Sequence, residues 1–128
     1  MRGQIKNRFR SLQVKDYSGL CYKNITPTDL DGFFEIQNKV FVFIELKLEN
    51  TPLPLGQILA LERLTDNLNK PAILIITRHN CPPELDIDVA NCIVERYRWR
   101  KIWYEENKRT VKKLIDSFLI KRKLGDYL

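Results

Sequence analysis

The chain has 128 residues, 44% of them hydrophobic and 30% charged, with a net charge of +6. That length suits one domain over residues 1–128, long enough to bury a core but too short for two of ordinary size, and the composition excludes a disordered chain. No stretch reaches the length of a membrane span and the N-terminus has no apolar signal core, which predicts a cytoplasmic protein without a membrane partner.

Taken in chain order, residues 1–15 suit a helix, with Ile5, Phe9 and Leu12 on one face. Residues 17–28 read as a loop or short strand region ended by Pro27. A hairpin follows, in which Asp29 and Asp31 lead a short strand, Gln37, Asn38 and Lys39 make the turn, and the hydrophobic residues 40–44 run into Glu45, Leu46 and Lys47. Pro54 is placed to open a helix whose apolar face comprises Leu55, Ile58, Leu59, Leu61, Leu64 and Leu68. The unbroken apolar run over residues 72–77 predicts a strand buried on both faces. After a loop over residues 78–88, a strand is expected over 89–98 and a long helix over 99–123, with Val111, Leu114, Ile115, Phe118 and Leu119 as its buried stripe. The order predicts an α/β sandwich, a mixed sheet flanked by helices.

The hairpin carries chemistry. Side chains alternate faces along a strand, so Phe43, Glu45 and Lys47 share one face. A three-residue turn pairs Ile36 with Val40 and, counted outward, puts Asp31 opposite Glu45 and Asp29 opposite Lys47. A two-residue turn would oppose Asp31 to apolar Leu46, and the hydrophobic pattern argues against that slip. Opposed residues have Cβ atoms roughly 4.5–5.5 Å apart. Two carboxylates at that range raise one another's pKa unless a cation lies between them, and carboxylates select a hard, oxygen-loving ion such as Mg²⁺ or Mn²⁺.

Charge is unevenly distributed. Residues 1–15 hold five bases and no acid, residues 94–123 eleven bases against four acids, and residues 28–66 seven acids against three bases. An acidic island between basic arms suits a metal-dependent enzyme acting on a polyanion, with Arg2, Lys6, Arg8 and Arg10 in one arm. In the other arm Arg96, Arg98, Arg100 and Lys101 interleave with Tyr97 and Trp99, ahead of Trp103 and Tyr104, a pattern able to clamp a backbone or stack bases. Strand alternation equally allows aromatics inward and bases outward. Cys21, Cys81 and Cys92 form no Cys-x-x-Cys pair and are expected as reduced, mostly buried thiols; His79 alone makes no metal site.

The arrangement resembles the PD-(D/E)xK nuclease superfamily, the restriction-endonuclease-like fold of Holliday-junction resolvases, phage exonucleases and many short phage-encoded nucleases. The resemblance rests on the run from Thr28 to Gly32, on Phe43, Ile44, Glu45, Leu46 and Lys47 at the end of a hydrophobic strand, and on Gln57 in the next helix. It covers roughly residues 28–77. It implies a restriction-endonuclease-like core and a Mg²⁺- or Mn²⁺-dependent endonuclease that hydrolyses DNA. By analogy alone it also implies branched or junction DNA as substrate, a homodimer, and a bacterial or phage-infected host cell. Asp31, Glu45 and the Leu46 carbonyl would hold the metal, with Asp29 the competing ligand. Lys47 would orient or deprotonate the attacking water, and Gln57 would reach phosphate. The chain departs from the pattern in having no Glu before Glu35 and no Pro directly before the Asp. A nucleic-acid-binding accessory module with the same fold and no turnover is the alternative function, and an RNA-directed nuclease a more distant one.

Overall fold

The structure, a computed structural model, describes residues 13–128. The helix expected over 1–15 therefore lies almost wholly outside the described residues, and residues 13–15 are irregular. Five strands form a mixed sheet in sequential order: β1 (Gly32–Ile36), β2 (Val40–Leu48), β3 (Ala72–His79), β4 (Val94–Trp99) and β5 (Ile102–Glu105). Helix α1 (Leu55–Asp66) links β2 to β3, which run parallel, and α2 (Val111–Lys121) follows β5. The other pairings are antiparallel.

The β1–β2 register is the one read from the sequence: Ile36 pairs with Val40 and Gly32 with Ile44. Gln37 and Asn38 take φ of 45° and 59°, and the Glu35 carboxylate accepts from Asn38 N at 2.7 Å, which locks the turn. The strand over residues 72–77 is buried throughout, as expected, and extends two residues further because Arg78 and His79 still pair with Lys47 and Leu48.

Two cores lie on opposite faces of the sheet. On one, Val40, Val42, Ile73, Ile75 and Val94 meet Val111, Leu114, Phe118 and Leu119 of α2. On the other, Phe43, Leu74 and Ile76 meet Ile58 and Leu61 of α1. The face of α1 is narrower than its leucines suggested: Leu55 is 73% and Leu64 43% exposed. The helix also stops at Asp66, short of Leu68, with Asn67 as its C-cap, whose side-chain amide donates to the Arg63 carbonyl.

The expected helix over 99–123 is corrected most. Arg100 and Lys101 hold φ of 51° and 66°, the pair of positive angles a two-residue hairpin turn needs, and the chain doubles back so that Ile102 pairs with Trp99 and Tyr104 stacks on Tyr97. The helix begins only after Thr110, whose hydroxyl accepts from Lys113 N. The strand expected over 89–98 likewise opens with a 3-10 turn at Val89–Asn91 and pairs from Val94.

Candidate carboxylate and nucleic-acid site

Glu45 belongs to the face that α1 covers. Strand alternation forces this, because Phe43 two residues earlier is core on that face and Ile76 is its partner in β3. The side chain is 1% exposed, as buried as the core around it. Its Oε1 accepts from Gln57 Nε2 at 2.9 Å and lies 3.2 Å from Lys47 Nζ, while Oε2 is buried without a hydrogen-bond partner among the described residues. Burial pushes the carboxyl above the usual range for Glu and the Asp31 charge adds to the rise, opposed by Lys47.

Asp31 stands one residue before β1, where the ladder to β2 ends. Its Oδ2 accepts from Leu46 N at 2.7 Å, so the carboxylate caps the free edge of β2 in place of a strand partner. The N–H and C=O of one strand residue point to the same neighbour, which puts the Leu46 carbonyl on the Asp31 side of β2. Asp29 is exposed, with no hydrogen bond or ion pair among the described residues, and Lys47 pairs with Glu45 instead. Gln57 sits in the first turn of α1, and its amide is spent on Glu45.

Sequence patterning missed the bracing around this cluster. The parallel register brings Arg78 beside Lys47, and its guanidinium donates to Glu95 Oε1 at 2.9 Å and to the carbonyls of Leu48 and Thr51, tying the ends of β2, β3 and β4 together. A register shift between Ile76 and Thr77 sets Glu95 out of the β3–β4 ladder. Nothing local marks Arg78; only the pairing of two distant strands does.

The eight basic candidates separate. Arg2, Lys6, Arg8 and Arg10 lie outside the described residues. Arg98 is engaged within the protein: its Nε and Nη2 bond Asp66 at 2.9 and 2.7 Å and Glu62 lies 3.4 Å away. Arg96 lies on the Glu45 face, two strands across, its guanidinium 4.4 Å from the Trp103 ring centre. Arg100 and Lys101 occupy the β4–β5 turn, with Arg100 over Trp99. The cysteines are free, but Cys21 is exposed and Cys81 and Cys92 are half-buried, short of the expected burial.

Among the described residues no group of three or more His, Cys, Asp and Glu side chains could hold a metal, and no helix is long and apolar enough to cross a membrane. No protein-family model, curated protein or solved structure matches the chain.

Two carboxylates and one carbonyl are the donors at hand for a hard cation. Oxygen-only chemistry suits Mg²⁺ or Mn²⁺, and such ions keep several waters and need few protein ligands. The orphaned Glu45 Oε2 is the observation that fits a cation, since an unsatisfied buried carboxylate oxygen carries an uncompensated desolvation cost.

Proposed function

We propose that this chain is a Mg²⁺- or Mn²⁺-dependent endonuclease with a restriction-endonuclease-like core of the PD-(D/E)xK kind, which hydrolyses phosphodiester bonds in DNA and acts at branched structures. The observation that carries this is the Glu45 cluster: a carboxylate buried at a strand end, held by Lys47 and Gln57 through one oxygen, with the other oxygen unpartnered and Asp31 bound to the next peptide. Most buried side-chain oxygens in folded proteins are hydrogen-bonded, so an open one beside a second carboxylate supports a cation there.

Asp31, Glu45 and the Leu46 carbonyl are the residues that would hold the ion. When bound, it supplies charge neutralisation at the scissile phosphate and acidifies the attacking water. Lys47 is 24% exposed, so its ammonium reaches both Glu45 and solvent. There it orients the water and offsets negative charge as the phosphorus–oxygen bond to the leaving group breaks. Gln57 fixes the Glu45 rotamer, and Arg78 and Asp31 hold the backbone on either side of it. A junction offers two strands to cut, so a homodimer belongs to the same proposal.

The test is cleavage of labelled linear duplex, single-stranded and four-way-junction DNA with Mg²⁺, Mn²⁺ or a chelator. We expect cleavage only with a divalent ion, fastest on the junction. Binding without cleavage under both ions would instead establish an accessory binding module.

A further inference from the structure

Strand β1 is an edge of the sheet, with β2 on one side and no strand among the described residues on the other. On β2 the N–H groups of Phe41 and Glu49 donate toward β3 and that of Leu46 toward Asp31, so odd-numbered residues face β3 and even-numbered ones face β1. Gly32, Phe34 and Ile36 pair with Ile44, Val42 and Val40, which turns their peptide groups inward and leaves the N–H and C=O of Phe33 and Glu35 pointing out of the sheet. These outward groups bond nothing among the described residues. Proteins blunt such edges with Lys, Pro or a bulge, and Gly32–Ile36 contains none of these. The other edge, β5, has only four residues and is set between Lys101 and Glu106.

The β1 edge is apolar on both faces. On the α1 face Phe33 is 50% exposed and stacks on Phe43 at 5.1 Å. On the α2 face Phe34 and Ile36 border an open groove of about 430 Å³ that Ile115, Leu119 and Leu128 also line. Charge decides which strand fits this edge. Antiparallel pairing of β1 with a second β1 opposes outward-pointing residues, so the register is centred on Phe33, Phe34 or Glu35. Centring on Phe33 opposes Glu35 to the partner's Asp31, and centring on Glu35 opposes two copies of its carboxylate; like charges directly opposite destabilise a strand pair. Centring on Phe34 avoids both. It sets Phe33 against the partner's Glu35 and Ile36 against the partner's Gly32, which has no side chain in the way. It also lays the hairpin tip, with Lys39, alongside the partner's Asp29 and Asp31, and neither Lys39 nor Asp29 has an ion pair among the described residues.

We propose that β1 is the interface with a second copy of this chain, the two strands pairing antiparallel about Phe34 and joining both sheets into one. This deepens the endonuclease reading, on which the use of the interface rests. Opposed residues share a face, so both copies of Glu45 lie on one face of the joined sheet, with Cα atoms about 25 Å apart from strand spacing and rise. Two strands of one junction then each meet a site.

The experiment is sedimentation equilibrium of the whole chain, without DNA and with a chelator, over a dilution series. We expect twice the mass of the chain, falling on dilution. Phe33→Glu changes a half-exposed side chain, sets a carboxylate opposite the partner's Glu35 and should weaken the dimer about tenfold. Leu85→Glu, which adds the same charge on an exposed loop, should leave it unchanged. Register is read separately, by treating Phe33→Cys and Glu35→Cys chains with glutathione disulfide, which takes two electrons and two protons from a pair of thiols. Both positions are exposed, so this reading stands if Phe33→Glu fails to fold. The mixture should give a dimer joined between positions 33 and 35, identified by the mass of the linked peptides, and neither chain alone should link to itself at those positions. A wild-type chain that stays monomeric, a Phe33→Glu dimer as tight as that of Leu85→Glu, or self-linking of either cysteine chain at the introduced thiol would overturn the proposal. Cleavage is scored apart from assembly: a β1 dimer that cuts no DNA keeps the interface and removes the endonuclease, and a monomer that cuts does the reverse.

Discussion

Burial sets the behaviour of Glu45, because a carboxylate 1% exposed has exchanged water for two donors on one oxygen and none on the other. Its raised pKa means that the ionised form burdens the metal-free fold. Glu45→Gln keeps the shape and removes the charge, so we expect a higher melting temperature than wild type in chelator at neutral pH; a lower one would show that the Lys47 contact outweighs burial. If the proposed nuclease reading holds, Lys47→Ala should reduce cleavage a hundredfold or more while DNA affinity falls little, since it removes the positive group that pairs with Glu45 and leaves Asp31 and Glu45 intact. Single-turnover rates at saturating enzyme separate those two effects. Glu45 and Lys47 were legible in the sequence because strand alternation assigns them one face. The contact of Gln57 with Glu45 was not, because periodicity places a residue on a helix face without saying which strand residue it meets.

Between elements, the Arg98 pairing with Asp66 and Glu62 fastens β4 to α1 over the face that holds Glu45. The guanidinium holds the Asp66 carboxyl below the usual carboxylate range. A depressed folded pKa contributes stability above the unfolded value of 3.8 that is lost as pH falls through the folded one. Asp66→Asn should therefore cost about 2 kcal/mol at pH 7 and progressively less below pH 3.8, read from denaturant unfolding at several pH values. An Asp66→Asn deficit that does not shrink in acid would mean that packing, not charge, is lost. Truncating Thr110 to Ala should cost about 1 kcal/mol by removing the cap of α2. These elements mark where sequence patterning ran out. The turn at Arg100 and Lys101 carries no Gly, Asn or Asp to announce its positive φ, so sequence patterning runs the aromatic residues of β5 into a helix. Arg98 resembled a solvated base because its acids are far away in the chain. The hairpin register, by contrast, was legible: a turn one residue shorter would oppose Asp31 to apolar Leu46, and the observed pairing of Ile36 with Val40 is that of the three-residue turn.

At the scale of the molecule, α1 and α2 close opposite faces of one sheet, and the Glu45 cluster lies where β2 outruns β1. Leu74, wholly buried in β3, belongs to the core that α1 closes; Leu74→Ala should cost about 2–5 kcal/mol in unfolding free energy. The mixed sheet with flanking helices followed from hydrophobic patterning, since a doubly buried strand requires cover on both faces. The chemistry claimed for it depends on one residue more than any other. The decisive measurement is the single-turnover cleavage rate of four-way-junction DNA in Mn²⁺ by wild type and Glu45→Gln at equal DNA occupancy. We expect cleavage by wild type and a rate at least a hundredfold lower for Glu45→Gln with binding retained; equal rates for the two proteins, or no cleavage by wild type, would contradict a nuclease centre at Glu45.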